Sequence, residues 1–404
     1  MFKHTSMGLL VALALMCNLL LVACGSSPAT ESPIAAQVTD GGTGDIRIGL
    51  MGPLTGASQA LGTAIDRGVI LAIEETNAAG GINGRKIAII KRDDKADPET
   101  GLNNVQDLMD KEKVLALIGT GNTGVGSKQA PLVNQAKVPW IIPIATGTLI
   151  THDATSTPNY IFRVSMQDDQ QVAFVTSYLV DKLKAPKIAV LYDYSEESLL
   201  GKDNLVKALS EKRVKPMMVE GFKTNDTAED FKLLLTKVKQ AGADAMVIWS
   251  QGADAANIRK ANKEVGLDIP TIGSWNLSMP PFPANAKGLE EGTLVPQTIS
   301  IESTNPKAKE LFDKYKKKYN TDAVGFPSGL AQSYDAMNLL LLALKQPGAT
   351  ESRDKLREAL VNLASYDGAI KKYEKPFGSP YQEALSESDF FLTVWKEGKL
   401  VKVG

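Results

Sequence analysis

The sequence predicts an α/β protein made of two Rossmann-like lobes, each with a parallel central sheet. Short apolar runs recur about every 25–30 residues, with amphipathic segments at helical spacing between them, which is typical of βαβ units. The alternation occurs twice, and "AKVPWII" ends the first run as "LDIPTIG" ends the second. A chain of 404 residues is too long for one ordinary core and long enough for two lobes.

The first run supplies the strands and helices of the predicted first lobe. One helix ends at Gly80-Gly81, and another begins at Asp97-Pro98, where Asp is a good cap and Pro suits the first turn. A third helix follows the glycines of 119–124. Apolar runs predict strands at 46–51, 86–90, 114–118 and 138–142.

The second run starts after Arg163 and has the same order of elements. Apolar stripes at helical spacing separate its strands. The final segment "DFFLTVWKEGKLVKV" predicts a hairpin, because two apolar runs flank Glu397-Gly398. Apolar runs predict strands at 188–192, 217–222, 245–249, 269–273 and 294–299.

The N-terminal residues predict an exported protein. Residues 7–22 are apolar apart from Asn18, and they are too few for a comfortable membrane span of about 20 residues. The sequence Leu21-Val22-Ala23-Cys24 resembles the bacterial lipobox, which implies a signal peptide over 1–23 and a lipid on Cys24. Residues 24–44 are small, polar and rich in Pro and Gly, so we expect a flexible tether. The expected location is extracytoplasmic and membrane-anchored through lipid, in the periplasm or on the outer face of the cell membrane.

The composition gives no sign of catalysis. The formal net charge is −1 and there is no basic stripe, so nucleic acid is not an expected partner. The other cysteine, Cys17, lies in the leader, and the mature chain has one histidine, His152. No H-E-x-x-H, Cys/His cluster or G-x-S-x-G motif is present. We therefore expect no enzyme activity, no metal and no cofactor.

The glycine loop at 119–124 has the literal form G-x-G-x-x-G. A dinucleotide site would need an acidic residue about 20 positions later, and residues 114–152 contain none. The loop instead predicts a helix N-terminus that holds an anion with backbone N–H groups and the Thr123 hydroxyl. The next loop, with Thr146, would end at the same sheet edge, so the two threonines would suit one carboxylate. A plain tight turn capped by Thr123 is the competing interpretation.

Six blocks together resemble the type I periplasmic binding proteins, and within them the leucine/isoleucine/valine-binding proteins of ABC importers. The resemblance covers roughly residues 45–400 and implies two lobes joined by three hinge crossings, with the ligand trapped as the lobes close. The blocks are "GPLTGASQALG", "GGINGRKIAIIKRDDKADP", "VLALIGTGNTG", "VPWIIPIATG", "DDQQVAFVTSYL" and "AEDFKLLLTKVKQAGADAMVI".

The resemblance also implies roles for single residues. Thr123 and Thr146 match the hydroxyls that hold the ligand carboxylate, and Ile144 matches the backbone carbonyl that accepts the ammonium. Leu61 stands where the family often has an aromatic wall. The remaining candidate ligand-binding residues are Asn122, Gly124, Gln251 and Trp275.

Two positions depart from the family pattern. The acidic residue expected after strand 269–273 is replaced by Ser274-Trp275-Asn276, and "DYSEESLLG" replaces the usual Tyr-Gly after strand 188–192. Asp193 and Asp254 are candidates for the missing counter-charge. Trp275, with Trp249, would suit a ligand with an apolar or aromatic body, although core packing competes as the role of Trp275.

The predicted function is therefore capture of a small carboxylate for an ABC permease by a monomeric binding protein. The ligand is a branched-chain or related amino acid, or else an aromatic or aliphatic carboxylate without an ammonium group. A ligand-sensing module for a separate membrane receptor and a nicotinamide oxidoreductase are the other classes considered. The predicted lobes are 45–165 with 298–370, and 166–297 with 371–404.

Overall fold

The computed structural model describes residues 44–152, 157–321 and 323–403. The strands are β1 (Ile46–Gly52), β2 (Ile87–Asp93), β3 (Ala116–Ile118), β4 (Trp140–Ile142), β5 (Ile161–Arg163), β6 (Ile188–Asp193), β7 (Met218–Phe222), β8 (Ala245–Trp249), β9 (Thr271–Gly273), β10 (Thr293–Gln297), β11 (Ser365–Asp367), β12 (Lys372–Glu374), β13 (Phe391–Lys396) and β14 (Lys399–Lys402). The α-helices are α1 (Gln59–Ala78), α2 (Pro98–Asp110), α3 (Thr123–Gln135), α4 (Asp168–Ser177), α5 (Glu196–Glu211), α6 (Ala228–Ala241), α7 (Gly252–Val265), α8 (Pro281–Ala286), α9 (Pro306–Tyr319), α10 (Pro327–Leu344) and α11 (Arg353–Val361). The predicted leader, Cys24 and tether through residue 43 lie outside the described residues.

The first sheet is parallel and has the order β2-β1-β3-β4-β5. Nearly all residues of β1, β3, β4 and β5 are buried and most are apolar, as expected when helices cover both faces of a sheet, whereas β2 at the edge ends in three charged, half-buried residues. The part of the chain built on this sheet is called the first lobe. The carboxyl ends of β3, β4 and β5 lie side by side, so the loops that follow them meet at one edge.

The second sheet is mixed, with the order β14-β13-β10-β9-β8-β6-β7. Strands β6 to β10 are parallel, whereas β13 pairs antiparallel with β10 and β14 pairs antiparallel with β13. The predicted C-terminal hairpin is present, turning at Glu397-Gly398 with both residues at positive φ. Strands β13 and β14 are antiparallel because the connection between them is only two residues long, and a parallel pair needs a much longer crossover. The part of the chain built on this sheet is called the second lobe.

Distant segments of the chain complete the first lobe. Helix α10 packs along α1, and a Cβ atom on Gly68 would lie 2.7 Å from the Ser333 Cβ atom, so the two helices approach closely at this glycine. Tyr373, Phe377 and Leu385 belong to the same hydrophobic cluster. The predicted boundary at residue 370 remains a prediction, and this packing favours a crossing nearer residue 390.

The chain passes between the two sheets three times. It leaves β5 for α4, whose Val172 and Val175 pack in a second-lobe cluster with Ile188. It returns from β10 to α9, and it leaves the first-lobe cluster after Phe390 to form β13. Within the described ranges, no helix is both long enough and apolar enough to cross a membrane.

Candidate functional site

The glycine loop after β3 brings the start of α3 to the sheet edge. Gly119 has φ +119°, and a Cβ atom there would lie 2.0 Å from the Met51 carbonyl oxygen, so only glycine fits. Helix α3 begins at Thr123, and its N-cap residue Asn122 makes no side-chain capping hydrogen bond. The first-turn N–H groups of α3 are therefore left uncapped by Asn122, as an anion site at a helix N-terminus requires.

The loops that carry Thr123 and Thr146 contact each other. The Thr123 Oγ1 atom accepts a hydrogen bond of 3.2 Å from the Gly147 backbone N–H. Thr123 and Thr146 are both buried, and Gly124 directly follows Thr123 in the first turn of α3. The structure therefore brings the two predicted threonines to one place, whereas their role toward a ligand stays a prediction.

Ile144 and Leu61 both lie in the first-lobe core cluster. Leu61 packs against the glycine loop, since a Cβ atom on Gly121 would lie 3.0 Å from the Leu61 Cβ atom. Ile144 is fully buried, so only its backbone carbonyl is a candidate for ligand contact.

Asp168 is the acidic group that the sequence interpretation did not single out. It is the first residue of α4 and is 1 % exposed, and its backbone N–H donates to the Thr146 carbonyl at 3.0 Å. Neither carboxylate oxygen accepts a hydrogen bond of ordinary geometry from the described residues. Burial raises the pKa of Asp168 to about 7, and the Thr146 hydroxyl and the Arg163 charge oppose this rise.

Arg163 holds the Thr146 loop from behind. Its fully buried guanidinium donates to the Gly147 carbonyl at 2.7 Å and to the Thr151 Oγ1 atom at 2.7 Å. It also forms a two-pronged pair with Glu383, at 2.6 Å and 2.9 Å. Because these partners occupy Arg163, its charge is committed to the framework and is not a free partner for Asp168.

Glu197 lies on α5 in the second lobe, close enough to Asp168 for the two charges to interact. Its Oε1 atom accepts a hydrogen bond of 2.8 Å from the Asn276 amide, and its Oε2 atom accepts one of 3.4 Å from the Gln251 amide. Glu197 keeps partial exposure although protein atoms surround it densely, as expected for the wall of a narrow cleft. Burial and the charge of Asp168 raise the pKa of Glu197 to about 8, and the two amides oppose this rise.

Asp193, one of the two predicted counter-charges, has donors of its own. Its carboxylate accepts from the Ser195 backbone N–H at 2.9 Å and from the Gln251 backbone N–H at 2.7 Å. This second bond fixes Gln251, whose side chain reaches Glu197. Asp193 therefore shapes the wall of the cleft, and Asp168 and Glu197 are the carboxylates left for a ligand. Asp254 is buried at the start of α7, and burial raises its pKa.

Trp275 is 2 % exposed and packs with its ring centre 5.3 Å from that of Phe326. Its backbone N–H donates to the Gln171 Oε1 atom at 2.7 Å, whereas its indole N–H has no partner among the described residues. Trp275 and Leu61 are both buried members of the first-lobe core cluster. Trp249 instead lies in the second-lobe core and packs directly on Gly201. A Cβ atom on Gly201 would lie only 2.0 Å from the Trp249 indole nitrogen.

More buried polar atoms near these residues lack partners within the described ranges. Each is buried, so leaving it without a hydrogen bond costs free energy that a bound polar molecule or water can recover. No group of three or more His, Cys, Asp or Glu residues suited to a metal ion occurs in the described part of the chain. The buried polar atoms without a hydrogen-bond partner are the Ser274 Oγ, Gln171 Nε2 and Asn122 Oδ1 atoms.

Known proteins resemble this chain over most of its length. The sequence profile of the periplasmic binding protein family matches residues 45–385. Leu/Ile/Val-binding protein homolog 3 of Brucella melitensis biotype 1 is 28% identical over 361 residues, covering 88% of this chain and 93% of its own. Leu/Ile/Val-binding protein homolog 1 of Brucella suis biovar 1 is 30% identical over 325 residues, covering 80% and 84%.

Solved structures have the same fold. The branched-chain amino acid transporter substrate binding protein LivJ from Streptococcus pneumoniae, solved with isoleucine, has a TM-score of 0.75 at 25% identity, over 89% of this chain and 100% of that one. An ABC transporter solute binding protein from R. palustris, solved with benzoate, has a TM-score of 0.77 at 22% identity, over 89% and 96%.

The raised carboxylate pKa values predict how stability depends on pH. Between about pH 4 and about pH 8 the folded, ligand-free protein keeps protons on Asp168 and Glu197 that the unfolded chain has released. These groups therefore make the free energy of unfolding fall as pH rises through this window. We expect Asp168→Asn to be more stable than wild type at about pH 8 and to differ little from it at about pH 5, as measured by urea unfolding.

Asp169→Asn is the matched control, since Asp169 is the exposed neighbour of Asp168. Asp335, whose pKa burial raises to about 7, adds the same slope to every variant, so the comparison reports on Asp168 together with its effect on Glu197. Identical pH slopes for wild type and Asp168→Asn would contradict the assignment of a buried, unpartnered charge.

Proposed function

This chain belongs to the periplasmic binding protein family, and we propose that it captures an amino acid of branched-chain or related type and delivers it to an ABC permease. The observation that carries the proposal is the pairing of an uncapped helix N-terminus with an unpartnered buried carboxylate. An α-amino acid carries one group for each: a carboxylate and an ammonium.

The carboxylate end of the ligand would lie at the start of α3. There the first-turn N–H groups and the partial positive charge of the helix favour an anion. The hydroxyls of Thr123 and Thr146 are at the same edge, held by the contact between Thr123 and Gly147. Arg163 fixes the Thr146 loop through the Gly147 carbonyl, so the site is formed before the ligand arrives.

The ammonium end would lie against Asp168. A buried carboxylate without donors is costly, and an ammonium supplies both the opposite charge and the missing hydrogen bonds. Asp168 takes the place of the acidic residue that the family pattern puts after β9. Glu197 lies on the opposite lobe and senses the charge of Asp168, so a cation between them is attracted to both lobes.

This arrangement links binding to lobe closure. Asp168 is tied to the Thr146 carbonyl in the first lobe, whereas its helix α4 packs in the second lobe. A ligand that contacts both lobes favours the closed state by the difference in its contacts with the two states. The permease would then recognise the closed form.

A carboxylate without an ammonium group is the second candidate. Leu61 packs against the glycine loop, and Trp275 follows β9 at the edge of the second sheet, so both would suit a ligand with an apolar or aromatic body. Such a ligand would leave Asp168 unpaired and would bind best when Asp168 is protonated. The two ligand classes therefore respond differently to a change at Asp168.

We expect Thr146→Ala to weaken L-leucine and benzoate alike by about tenfold, since a hydrogen bond to a charged group is worth about 1.5–3 kcal/mol. Asp168→Asn should weaken L-leucine by about tenfold or more and should leave benzoate unchanged or tighter. Isothermal titration calorimetry measures both, with Asp169→Asn as the control. Absence of binding to any small carboxylate would reject the proposal, and binding of benzoate alone would favour the second candidate.

We also propose that Cys24 carries the lipid that anchors the protein. The full-length chain expressed in bacteria should sediment with membranes and partition into detergent. Cys24→Ser should move it to the soluble fraction, whereas Cys17→Ser, within the leader, should not. A wild-type protein that stays in the aqueous phase after export would contradict anchoring.

A further inference from the structure

The charges that face the cleft do not balance for an ordinary zwitterion. Glu196 also lies beside Gly124 but is exposed to water. The carboxylates shielded from water are Asp168 and Glu197, whereas the α-ammonium of an amino acid brings one positive charge. Asp193 is satisfied by backbone N–H donors, and Arg163 is committed to Glu383 and to backbone carbonyls. The ligand carboxylate is met separately by the start of α3. One acidic group is therefore left for a second positive charge.

Two amide donors fix the orientation of the Glu197 carboxylate. The Asn276 amide at 2.8 Å and the Gln251 amide at 3.4 Å each hold one of its oxygens, and the Asp193 bond to the Gln251 backbone holds that donor in turn. A carboxylate keeps further acceptor sites on both oxygens after two such bonds. Its orientation is thus fixed while it can still accept from a ligand.

Independent signs of a polar ligand lie beside this group. The Ser274 Oγ atom is fully buried without a partner, and so is the Gln171 Nε2 atom, whose other amide atom holds the Trp275 backbone. Trp275 lies between Ser274 and Asn276 and supplies apolar surface, which suits a methylene stem. Buried polar atoms next to apolar surface are typical of a pocket for a ligand that has an aliphatic chain and a polar end.

We propose that Glu197 is a specificity-determining residue that selects, among amino acids, those whose side chain ends in a cation on a methylene chain. This inference rests on the amino-acid binding in the proposed function and replaces the branched-chain class of side chain with a cationic one. The α-ammonium pairs with Asp168 and the distal ammonium or guanidinium pairs with Glu197, so each carboxylate has one positive partner. The competing state is a proton on Glu197 with a neutral ligand side chain.

The test compares ligands that differ only at the end of the side chain. Calorimetry at about pH 7.5 measures the dissociation constants of L-lysine against L-norleucine and of L-arginine against L-citrulline. We expect wild type to bind each cationic member about tenfold tighter than its neutral partner, from one added charge-assisted contact. Glu197→Gln should abolish this preference while keeping the binding of L-norleucine.

Glu211→Gln is the matched control, because Glu211 is an exposed acidic residue at the other end of the same helix. It should keep the preference, and thermal unfolding of all variants shows that they are folded. Equal affinity of wild type for the two members of each pair, or an equal loss for both in Glu197→Gln, would overturn the inference while leaving amino-acid binding intact. Failure of all these ligands and of L-leucine would overturn the proposed function and this inference with it.

Discussion

A buried carboxylate whose burial its neighbours only partly offset is the constraint on which the rest of the structure depends. The Asp168 side chain is 1 % exposed, and its oxygens accept no hydrogen bond of ordinary geometry from the described residues. The Thr146 hydroxyl and the Arg163 charge offset only part of the effect of burial. Burying a charge in this way is expensive, so a folded protein tolerates it where something else repays the cost. Asp168 lies where the chain passes from the first lobe to the second. A cation bound there would offset the free-energy cost of burying the carboxylate and would also contact both lobes.

The surrounding framework keeps this site ready. Arg163 joins the Thr146 loop to Glu383 near the end of the chain, so residues far apart in sequence fix one short loop. Gly119 lets the backbone pass directly over Met51 and aims α3 at the sheet edge. On the facing lobe, Asp193 holds the Gln251 backbone and thereby the amide that contacts Glu197. The polar groups are therefore positioned by rigid neighbours, which lowers the ordering cost of binding.

The fold was predictable from the sequence because its signals are local. Apolar runs mark the strands of both sheets, Asp97 caps α2 as expected, and the glycine loop ends at the start of α3. The contact between the Thr123 and Thr146 loops also followed, since neighbouring parallel strands end at one edge. The antiparallel edge did not follow, because the pairing of β10 with β13 joins segments far apart in sequence.

The acidic part of the site could not be predicted in the same way. An Asp at a helix start is usually an exposed group that stabilises the helix dipole, and nothing in "QDDQQ" tells the buried Asp168 from the exposed Asp169. Asp193 was a reasonable candidate by position, but its donors come from Ser195 and Gln251, and the second of these is set by tertiary contact. The position of Glu197 depends on how the loop after β6 turns into α5. The departure from the family pattern at "DYSEESLLG" was the one signal that pointed there.

The most direct test is a crystal structure of the protein with its tightest-binding amino acid. We expect the ligand carboxylate to lie at the first turn of α3 against Thr123 and Thr146, with the α-ammonium within hydrogen-bond distance of an Asp168 oxygen. A ligand in the opposite orientation, or one bound away from this edge with Asp168 still unpartnered, would contradict it.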